Sequence, residues 1–192
     1  MAAFDAGMIT AAILAGGAGL RLHGRDKGLE LLAGKPLIAH VLDSSRGQAS
    51  TMLICANRNL ERYAEFAPVC SDAIATYGGP LAGISAALSS CRTAWLLTMP
   101  VDCPQPPPDL ACRLHAQVGE ARACVARGAR REPLFALYRR ELATDAAAAL
   151  TRDEPVWRWQ ETIGAIEVDF PGETFVNLNT PDDFRRWEQQ HA

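Results

Sequence analysis

Short apolar runs recur along the chain and alternate with segments in which apolar residues have a helical spacing. The first run covers residues 8–14 and leads into several glycines, and similar runs cover residues 51–56, 94–98 and 121–126, with weaker ones at 134–138 and 166–169. Short continuous apolar runs bounded by turn residues are typical of strands that are buried on both faces. The pattern predicts a buried sheet in which residues 8–14 form the first, central strand.

The segments between these runs favour helices. Proline or a capping residue precedes most of them, and an acidic first turn follows Thr180 and Pro181, as is typical of helix starts. Helices are predicted at residues 37–44, 81–90, 110–117, 141–150 and 156–164, and from Thr180 onward. Alternating strands and helices predict a three-layer α/β fold with helices on both faces of a mostly parallel central sheet.

Composition and charge narrow the class of protein. The 192 residues are 48% hydrophobic and 21% charged, with a formal net charge of −3, so we expect one compact domain over residues 1–192. This charge provides no general field that would attract nucleic acid or an anionic membrane, and neither is expected as a partner. No basic stretch precedes the first apolar run and no uncharged stretch is apolar enough to span a bilayer, so we expect a soluble cytoplasmic protein.

The six cysteines, at positions 55, 70, 91, 103, 112 and 124, form no C-x-x-C pair and no zinc-binding spacing. Several lie inside apolar segments, where a thiol behaves as a small hydrophobic group. They are therefore predicted to be buried thiols.

In an open α/β sheet, ligands bind at the carboxyl ends of the strands. Four such positions carry polar or glycine-rich sequence: the loop after Leu14, residues 55–57, residues 99–102 and residues 177–179. We expect the chemistry of the protein to be concentrated there.

The loop of residues 14–28 contains several glycines together with Arg21 and Lys27. Glycine lets backbone N–H groups approach phosphate oxygens, and the two cations supply local positive charge. The loop is not a dinucleotide fingerprint, because Leu22 stands at the third glycine position, and the later segment 28–36 does not match a P-loop. The sequence predicts a cradle for a triphosphate.

The motifs from about residue 9 to residue 187 resemble those of the molybdenum cofactor guanylyltransferases. In order along the chain they are Leu14-Ala15-Gly16-Gly17, Arg21, Asp26-Lys27-Gly28-Leu29, Gly34-Lys35-Pro36-Leu37-Ile38, Tyr77-Gly78-Gly79-Pro80-Leu81-Ala82-Gly83, Pro100-Val101-Asp102-Cys103-Pro104, Pro107-Pro108-Asp109-Leu110 and Phe175-Val176-Asn177-Leu178-Asn179-Thr180-Pro181.

The resemblance implies a Rossmann-like nucleotidyltransferase fold that transfers GMP from GTP to the terminal phosphate of molybdopterin and releases pyrophosphate with Mg²⁺ as cofactor. It also implies that residues from about 8 to 105 hold GTP and the metal, and that residues from about 106 to 190 form the pterin side. Cofactor-delivery proteins and molybdoenzyme chaperones are the protein partners to which such an activity points.

Asp102 is the strongest candidate for a catalytic and metal-binding residue. It follows a buried strand, and Pro100 and Pro104 restrict its loop, so that one carboxylate is held toward the ligand crevice. A single carboxylate suits Mg²⁺, which completes its shell with phosphates and water. Arg21 and Lys27 are the further catalytic candidates, as cations that hold the β- and γ-phosphates.

The resemblance implies two binding sets. The GTP-binding set is Leu14, Ala15, Gly16, Gly17, Lys27, Cys55, Asn57, Asp72, Gly79 and Asp102, and the pterin-binding set is Gly83, Asn177 and Asn179. Considered without the resemblance, Asp72 is more typical of a solvated turn, and Asn179 with Thr180 is equally typical of a helix cap. Whether Arg152, Arg158 or the cluster Arg127, Arg130 and Arg131 binds the pterin phosphate stays open.

Three alternative functions remain: a cytidylyltransferase acting on the same pterin, a sugar-1-phosphate nucleotidyltransferase, and a GTP-binding module without turnover. The sequence Leu14-Ala15-Gly16-Gly17 favours guanine, because the cytidylyl relatives tend to carry a second alanine before the last glycine. The joint presence of Arg21, Lys27 and Asp102 favours catalysis over binding alone.

Overall fold

The computed structural model describes residues 4–16, 26–71 and 79–191. Its strands, in chain order, are β1 (Ile9–Leu14), β2 (Leu31–Leu32), β3 (Lys35–Pro36), β4 (Thr51–Cys55), β5 (Val69–Cys70), β6 (Trp95–Pro100), β7 (Ala123–Arg127), β8 (Arg131–Arg139) and β9 (Ile166–Asp169). Its α-helices are α1 (Leu37–Ser44), α2 (Leu60–Ala64), α3 (Gly79–Ser90), α4 (Leu110–Gln117), α5 (Ala143–Thr151), α6 (Val156–Thr162) and α7 (Pro181–Gln190). Short 3-10 helices lie at Ala6–Met8, Lys27–Leu29 and Arg140–Leu142.

Seven of the described strands form one mixed sheet in the order β5-β4-β1-β6-β8-β7-β9, and β2 and β3 form a separate antiparallel ribbon. The strand β1 is central, as predicted, and pairs in parallel with β4 and β6. Only β8 runs against its neighbours β6 and β7. The prediction of a mostly parallel α/β sheet is confirmed.

The antiparallel strand β8 departs from the expected series of crossovers. Three residues, 128–130, join β7 to β8, whereas a parallel connection needs a crossover of a dozen or more residues. The apolar runs at 121–126 and 134–138 therefore form a hairpin of β7 and β8. The parallel order resumes where β9 joins β7.

Apolar layers cover both faces of the sheet and produce the three-layer arrangement. Ala12 and Leu96 belong to a buried cluster with residues of α3 and α5, whereas Ala11 and Leu97 belong to a cluster with residues of α4. Successive strand residues point to opposite faces, so a strand buried on both sides must be apolar throughout. The continuous apolar runs in the sequence follow from this burial.

Most element boundaries lie within two residues of those predicted. Met8 is in the 3-10 helix before β1 and is 42% exposed, and β6 continues to Pro100. The sequence pattern missed β2, β3, α2 and β5, because elements of two to five residues are too short for a hydrophobic period to be visible.

The last helix packs against the N-terminal ribbon. Phe184 and Trp187 of α7 share a buried cluster with Leu32, Leu37 and Leu178. The side chain of Thr180 accepts a hydrogen bond from the Asp183 N–H, and the Asp183 carboxylate accepts one from the Thr180 N–H, which forms a capping box. This packing brings the C-terminal segment beside Lys27 and the end of β6.

Candidate active site

The carboxyl ends of β1, β4 and β6 meet at one edge of the sheet. Leu14 is the register partner of both Cys55 and Pro100. Beyond these pairs, the Val101 N–H donates to the Leu14 carbonyl over 3.1 Å, and the Ala15 N–H donates to the Cys55 carbonyl over 2.8 Å. The start of the glycine loop and the loop of Asp102 are therefore joined by the sheet's own hydrogen bonds.

Three predicted site residues converge at this edge. The Lys27 Nζ donates to Asp102 Oδ2 and to Asn179 Oδ1, each over 2.9 Å. The side chains of Lys27 and Asp102 are 20% and 24% exposed, so the ion pair is partly shielded from water. Such shielding strengthens the attraction relative to a pair on the open surface.

The C-terminal segment is fixed against the Asp102 loop through the backbone. The Leu178 N–H donates to the Asp102 carbonyl over 2.8 Å. The Asp183 carboxylate accepts from the N–H groups of Asn179 and Thr180 over 2.9 and 2.8 Å, and these bonds, led by that from Asn179, lower the pKa of Asp183. The cap of α7 therefore also places the side chain of Asn179.

A second set of contacts holds the residue before Lys27. The Asp26 carboxylate accepts from the Asn59 Nδ2 over 2.8 Å and from the Tyr63 hydroxyl over 2.5 Å. Tyr63 is fully buried, and its burial, reinforced by the bond to Asp26, raises the pKa of its hydroxyl. Lys27 thus extends from a backbone segment anchored to α2 and the turn that precedes it.

Gly28 packs closely against Tyr63 and Val101. A Cβ at Gly28 would meet the Tyr63 hydroxyl and would lie 3.0 Å from the Val101 Cγ2.

The roles of Asn59, Tyr63 and Asp183 as partners of the site were missed from the sequence. Asp183 was visible only as part of a helix start, and nothing in the spacing of Asn59 or Tyr63 relates them to Asp26.

On the nucleotide side, the glycine loop is described as far as Gly16 and again from Asp26. Ala15 is buried, whereas Gly16 and Asn57 are exposed. The nearest group to a Cβ placed on Gly16 would be the Asn57 Nδ2, at 3.9 Å. Three predicted residues of this set, Gly17, Arg21 and Asp72, lie outside the described residues.

Cys55 and Gly83 lie between the sheet and α3, near the carboxyl end of β4. Cys55 is 2% exposed, and a Cβ placed on Gly83 of α3 would be 3.3 Å from the Leu14 Cδ2 and 3.6 Å from the Cys55 Cβ. The absence of a side chain at Gly83 thus allows α3 to approach the sheet at this point. Gly79 is exposed at the start of α3 and has a φ of +61°, a backbone conformation that favours glycine.

The two asparagines of the predicted pterin set differ in their surroundings. Asn179 is bonded to Lys27. The Oδ1 of Asn177 is buried and has no hydrogen-bond donor among the described residues. A buried acceptor without a partner is costly and is uncommon in folded proteins.

The candidate arginines are mostly engaged with carboxylates. Arg127 pairs with Glu167, Arg130 with Glu132 over 3.1 Å, Arg131 with Glu167 over 3.6 Å and Arg152 with Glu154 over 2.8 Å. Arg158 is exposed on α6. Substrate binding by any of the paired arginines would compete with an existing ion pair.

Oxygen donors suited to a hard cation are present beside Lys27. Within residues 4–16, 26–71 and 79–191, no group of three or more His, Cys, Asp or Glu side chains could hold a metal ion by itself. However, the Asp102 carboxylate and the Asn179 amide oxygen already hold one cation, the Lys27 ammonium, at 2.9 Å each, so this place attracts positive charge. One carboxylate with further oxygen ligands fits Mg²⁺, which takes its remaining ligands from phosphates and water.

No helix in the described part of the chain has the length and apolar character that crossing a membrane requires.

Comparison with known proteins shows the family of the chain. Residues 11–166 match the model of the MobA-like NTP transferase domain. The chain is 43% identical over 187 residues to a molybdenum cofactor guanylyltransferase of Yersinia pseudotuberculosis, covering 95% of this chain and 96% of the relative. It is 41% identical over 187 residues to the protein of the same name from Serratia proteamaculans, covering 95% of each.

Solved structures agree with the sequence relatives. The molybdopterin-guanine dinucleotide biosynthesis protein A of Archaeoglobus fulgidus superposes with a TM-score of 0.76 at 25% identity, covering 95% of this chain and 98% of that one. A 4-diphosphocytidyl-2C-methyl-D-erythritol synthase of Anaerococcus prevotii, at 12% identity and a TM-score of 0.74, covers 97% of this chain and 99% of that one and shares the fold. The chain belongs to the MobA-like NTP transferase family and is a nucleotidyltransferase.

Proposed function

We propose that this nucleotidyltransferase transfers GMP from GTP to the terminal phosphate of molybdopterin and releases pyrophosphate. The observation that carries the proposal is the contact of Lys27 with both Asp102 and Asn179. One cation thereby links the predicted nucleotide side of the site to the predicted pterin side. The names of the two guanylyltransferase relatives support the choice of GTP and of the acceptor.

The reaction balances without a covalent enzyme intermediate. An oxygen of the acceptor phosphate attacks the α-phosphorus of GTP, and a new P–O bond forms. The bond from the α-phosphorus to the oxygen that bridges to the β-phosphate breaks, and its electron pair leaves with pyrophosphate. The attacking oxygen is already ionised, so the main obstacle is repulsion between anions.

Lys27 meets this requirement directly. An ammonium group has three hydrogen-bond donors, and two of them are used by Asp102 and Asn179. The third can be donated to a β- or γ-phosphate oxygen and stabilises charge as pyrophosphate leaves. Arg21 and the N–H groups of residues 16 and 17 complete the phosphate cradle in this proposal.

Asp102 would hold Mg²⁺ through its carboxylate, with the Asn179 amide oxygen nearby. When bound, the ion neutralises phosphate charge and acts as a Lewis acid at the α-phosphate. The chain's contribution is to present the Asp102 carboxylate just after β6 and the Asn179 amide just before the cap of α7. The hydrogen bond from Leu178 to the Asp102 carbonyl restrains the position of Asp102 further.

The base and the pterin are assigned to opposite sides of Lys27. The candidates for the guanosine side are Asn57, Asp72, Gly79 and the backbone of Cys55. On the other side, Asn177 and Asn179 are the candidates for the pterin, and the Asn177 Oδ1 lacks a hydrogen-bond donor among the described residues. Gly83 contributes by letting α3 approach the sheet.

Turnover by the purified protein with Mg²⁺ and molybdopterin tests the proposal, with GTP and CTP compared in parallel. Pyrophosphate and a dinucleotide product from GTP alone are expected. A product from CTP instead would retain the mechanism and overturn the base assignment. Tight binding of GTP without a product would overturn the proposed acceptor and favour a nucleotide-binding module.

A further inference from the structure

Two buried thiols lie side by side at the nucleotide edge of the sheet. Cys55 ends β4 and Cys70 ends β5, and the two residues are register partners in the parallel ladder. Their Sγ atoms are 3.0 Å apart. The side chains are 2% and 8% exposed, and neither cysteine is in a disulfide.

The two cysteines are placed so that a disulfide could form with a small movement. Neighbouring strands lie about 4.8 Å apart, which falls within the Cα separations of roughly 4.4–6.8 Å found for disulfides. The sulfur atoms need to approach by about 1 Å to reach bonding distance, which side-chain rotation can supply. We propose that Cys55 and Cys70 are a modification site that forms a reversible intrachain disulfide with a two-electron oxidant of the peroxide class.

Cys70 is the residue expected to react first. It belongs to a two-residue strand at the edge of the sheet, where local opening exposes a side chain at little cost. The contact with Cys55 lowers the pKa of the Cys70 thiol, which favours the reactive thiolate. By contrast, burial raises the pKa of Cys103 and of Cys124 to about 12, which keeps those thiols unreactive.

The reaction balances in two steps. The Cys70 thiolate attacks one peroxide oxygen, the O–O bond breaks, and hydroxide leaves and becomes water, which converts Cys70 to a sulfenic acid. The Cys55 thiol then attacks this sulfur, the S–O bond breaks, and a second water leaves. Two thiols are oxidised to one disulfide and one peroxide is reduced to two waters.

The disulfide would restrain the edge that carries candidate nucleotide residues. The Cys55 carbonyl accepts the Ala15 N–H at the start of the glycine loop, and Asn57 follows two residues later. A cross-link from β4 to β5 limits the freedom of the unfolded chain, so the oxidised protein should melt at a higher temperature than the reduced one. The modification itself does not depend on the proposed transfer reaction.

Peptide mapping after peroxide treatment tests the proposal. Trypsin leaves Cys55 in the fragment 47–58 but leaves Cys70 and Cys91 together in the fragment 63–92. The folded Cys91→Ser variant is therefore treated with hydrogen peroxide, its remaining thiols are blocked, and it is digested without reductant. Fragments 47–58 and 63–92 joined together, lighter by two hydrogen atoms and separated by dithiothreitol, are the expected result.

Two further variants make the test specific. Adding Cys70→Ser should abolish the joined fragments, whereas adding Cys124→Ser should leave them unchanged. Recovery of both fragments with blocked thiols, or of Cys70 as a sulfinic acid without a cross-link, would overturn the proposal. Should Cys91→Ser fail to fold, chymotryptic cleavage of the wild-type protein after Tyr77 separates Cys70 from Cys91 and gives the same assignment.

Discussion

Lys27 and Asp102 form an ion pair across 75 positions of sequence, with the Lys27 Nζ 2.9 Å from the Asp102 Oδ2. One partner lies in a 3-10 helix that follows the glycine loop, and the other follows β6. The pair therefore joins the two loops that leave adjacent strands of the sheet. In the proposed reaction both groups face the phosphates of the nucleotide, so each can be tested separately.

Asp102→Asn is expected to lower turnover about 100-fold, the order of effect found when one electrostatic contact of a transition state is removed. The amide has nearly the shape of the carboxylate but lacks the charge that would hold a divalent cation. Steady-state pyrophosphate release measures the effect. Asp109→Asn is the matched control, because Asp109 is exposed at the start of α4, makes no side-chain cap hydrogen bond and lies 3.8 Å from Arg113 in a surface ion pair. Near-normal turnover of Asp102→Asn would remove Asp102 from the mechanism.

Lys27→Ala is expected to weaken binding of GTP about 10-fold more than binding of GMP, because a charge-assisted hydrogen bond to the β- or γ-phosphate is lost. Titration calorimetry with each nucleotide measures the difference. Lys35, the only other lysine in the sequence, pairs with Asp43, so Lys35→Ala is the control. Equal losses of affinity for GTP and GMP would place Lys27 away from the terminal phosphates.

The strand ends near Leu14, Cys55 and Pro100 could be predicted because they follow from local sequence. The fourth predicted strand end, at residues 177–179, was wrong, because no strand in the described part of the chain ends there and β9 ends at Asp169. A buried strand must be apolar throughout, and the carboxyl ends of parallel strands share one edge. That reasoning predicts that ligands bind where these strands end, beside Leu14, Cys55 and Asp102. The hairpin formed by β7 and β8 was not predicted, although the shortness of the connection between the two apolar runs is a local signal for it.

The contact between Lys27 and Asn179 could not be predicted in the same way. The residues are 152 positions apart, and their distance is determined by the packing of α7 against the ribbon of β2 and β3, through Leu32 and Phe184. A hydrophobic pattern shows that such residues are buried but does not show which ones meet. The contact of Tyr63 with Asp26 escaped prediction for the same reason.

Asp183→Asn is expected to lower the free energy of unfolding by about 1 kcal/mol at neutral pH, because the charged acceptor of the capping box is lost. The pKa of Asp183 is lowered in the folded protein. Its stabilising contribution is therefore complete above the ordinary pKa of an aspartate and is lost as the pH falls through the lowered value. Wild type and variant should accordingly begin to converge in stability below about pH 5 and become equal only below the lowered pKa.

Urea unfolding at a series of pH values measures this convergence. Asp182→Asn is the control, because Asp182 is exposed on the same helical turn and its carboxylate bonds only to Arg185 among the described residues. A difference between wild type and Asp183→Asn that stays constant down to pH 3 would show that the charge of Asp183 does not contribute.

Gly28→Ala and Tyr63→Phe are expected to be coupled, because the added Cβ would meet the Tyr63 hydroxyl. Alone, Gly28→Ala should lower the free energy of unfolding by about 2 kcal/mol through overpacking, and Tyr63→Phe by about 2 kcal/mol through loss of the bond to Asp26. With both changes the hydroxyl is absent, so the combined loss should fall short of the sum by about 1 kcal/mol. Relief stays partial because the Val101 Cγ2 remains 3.0 Å from the added Cβ.

Urea unfolding of the two single variants and the double variant measures the coupling. Gly16→Ala is the control for adding a methyl group near the site, since the nearest group to its Cβ would be at 3.9 Å and stability should be unchanged. Additive losses for Gly28 and Tyr63 would mean that the two residues do not constrain each other. A coupled result would instead show that the fully buried Tyr63 determines where the chain can pass at Gly28, and with it the position from which Lys27 reaches Asp102.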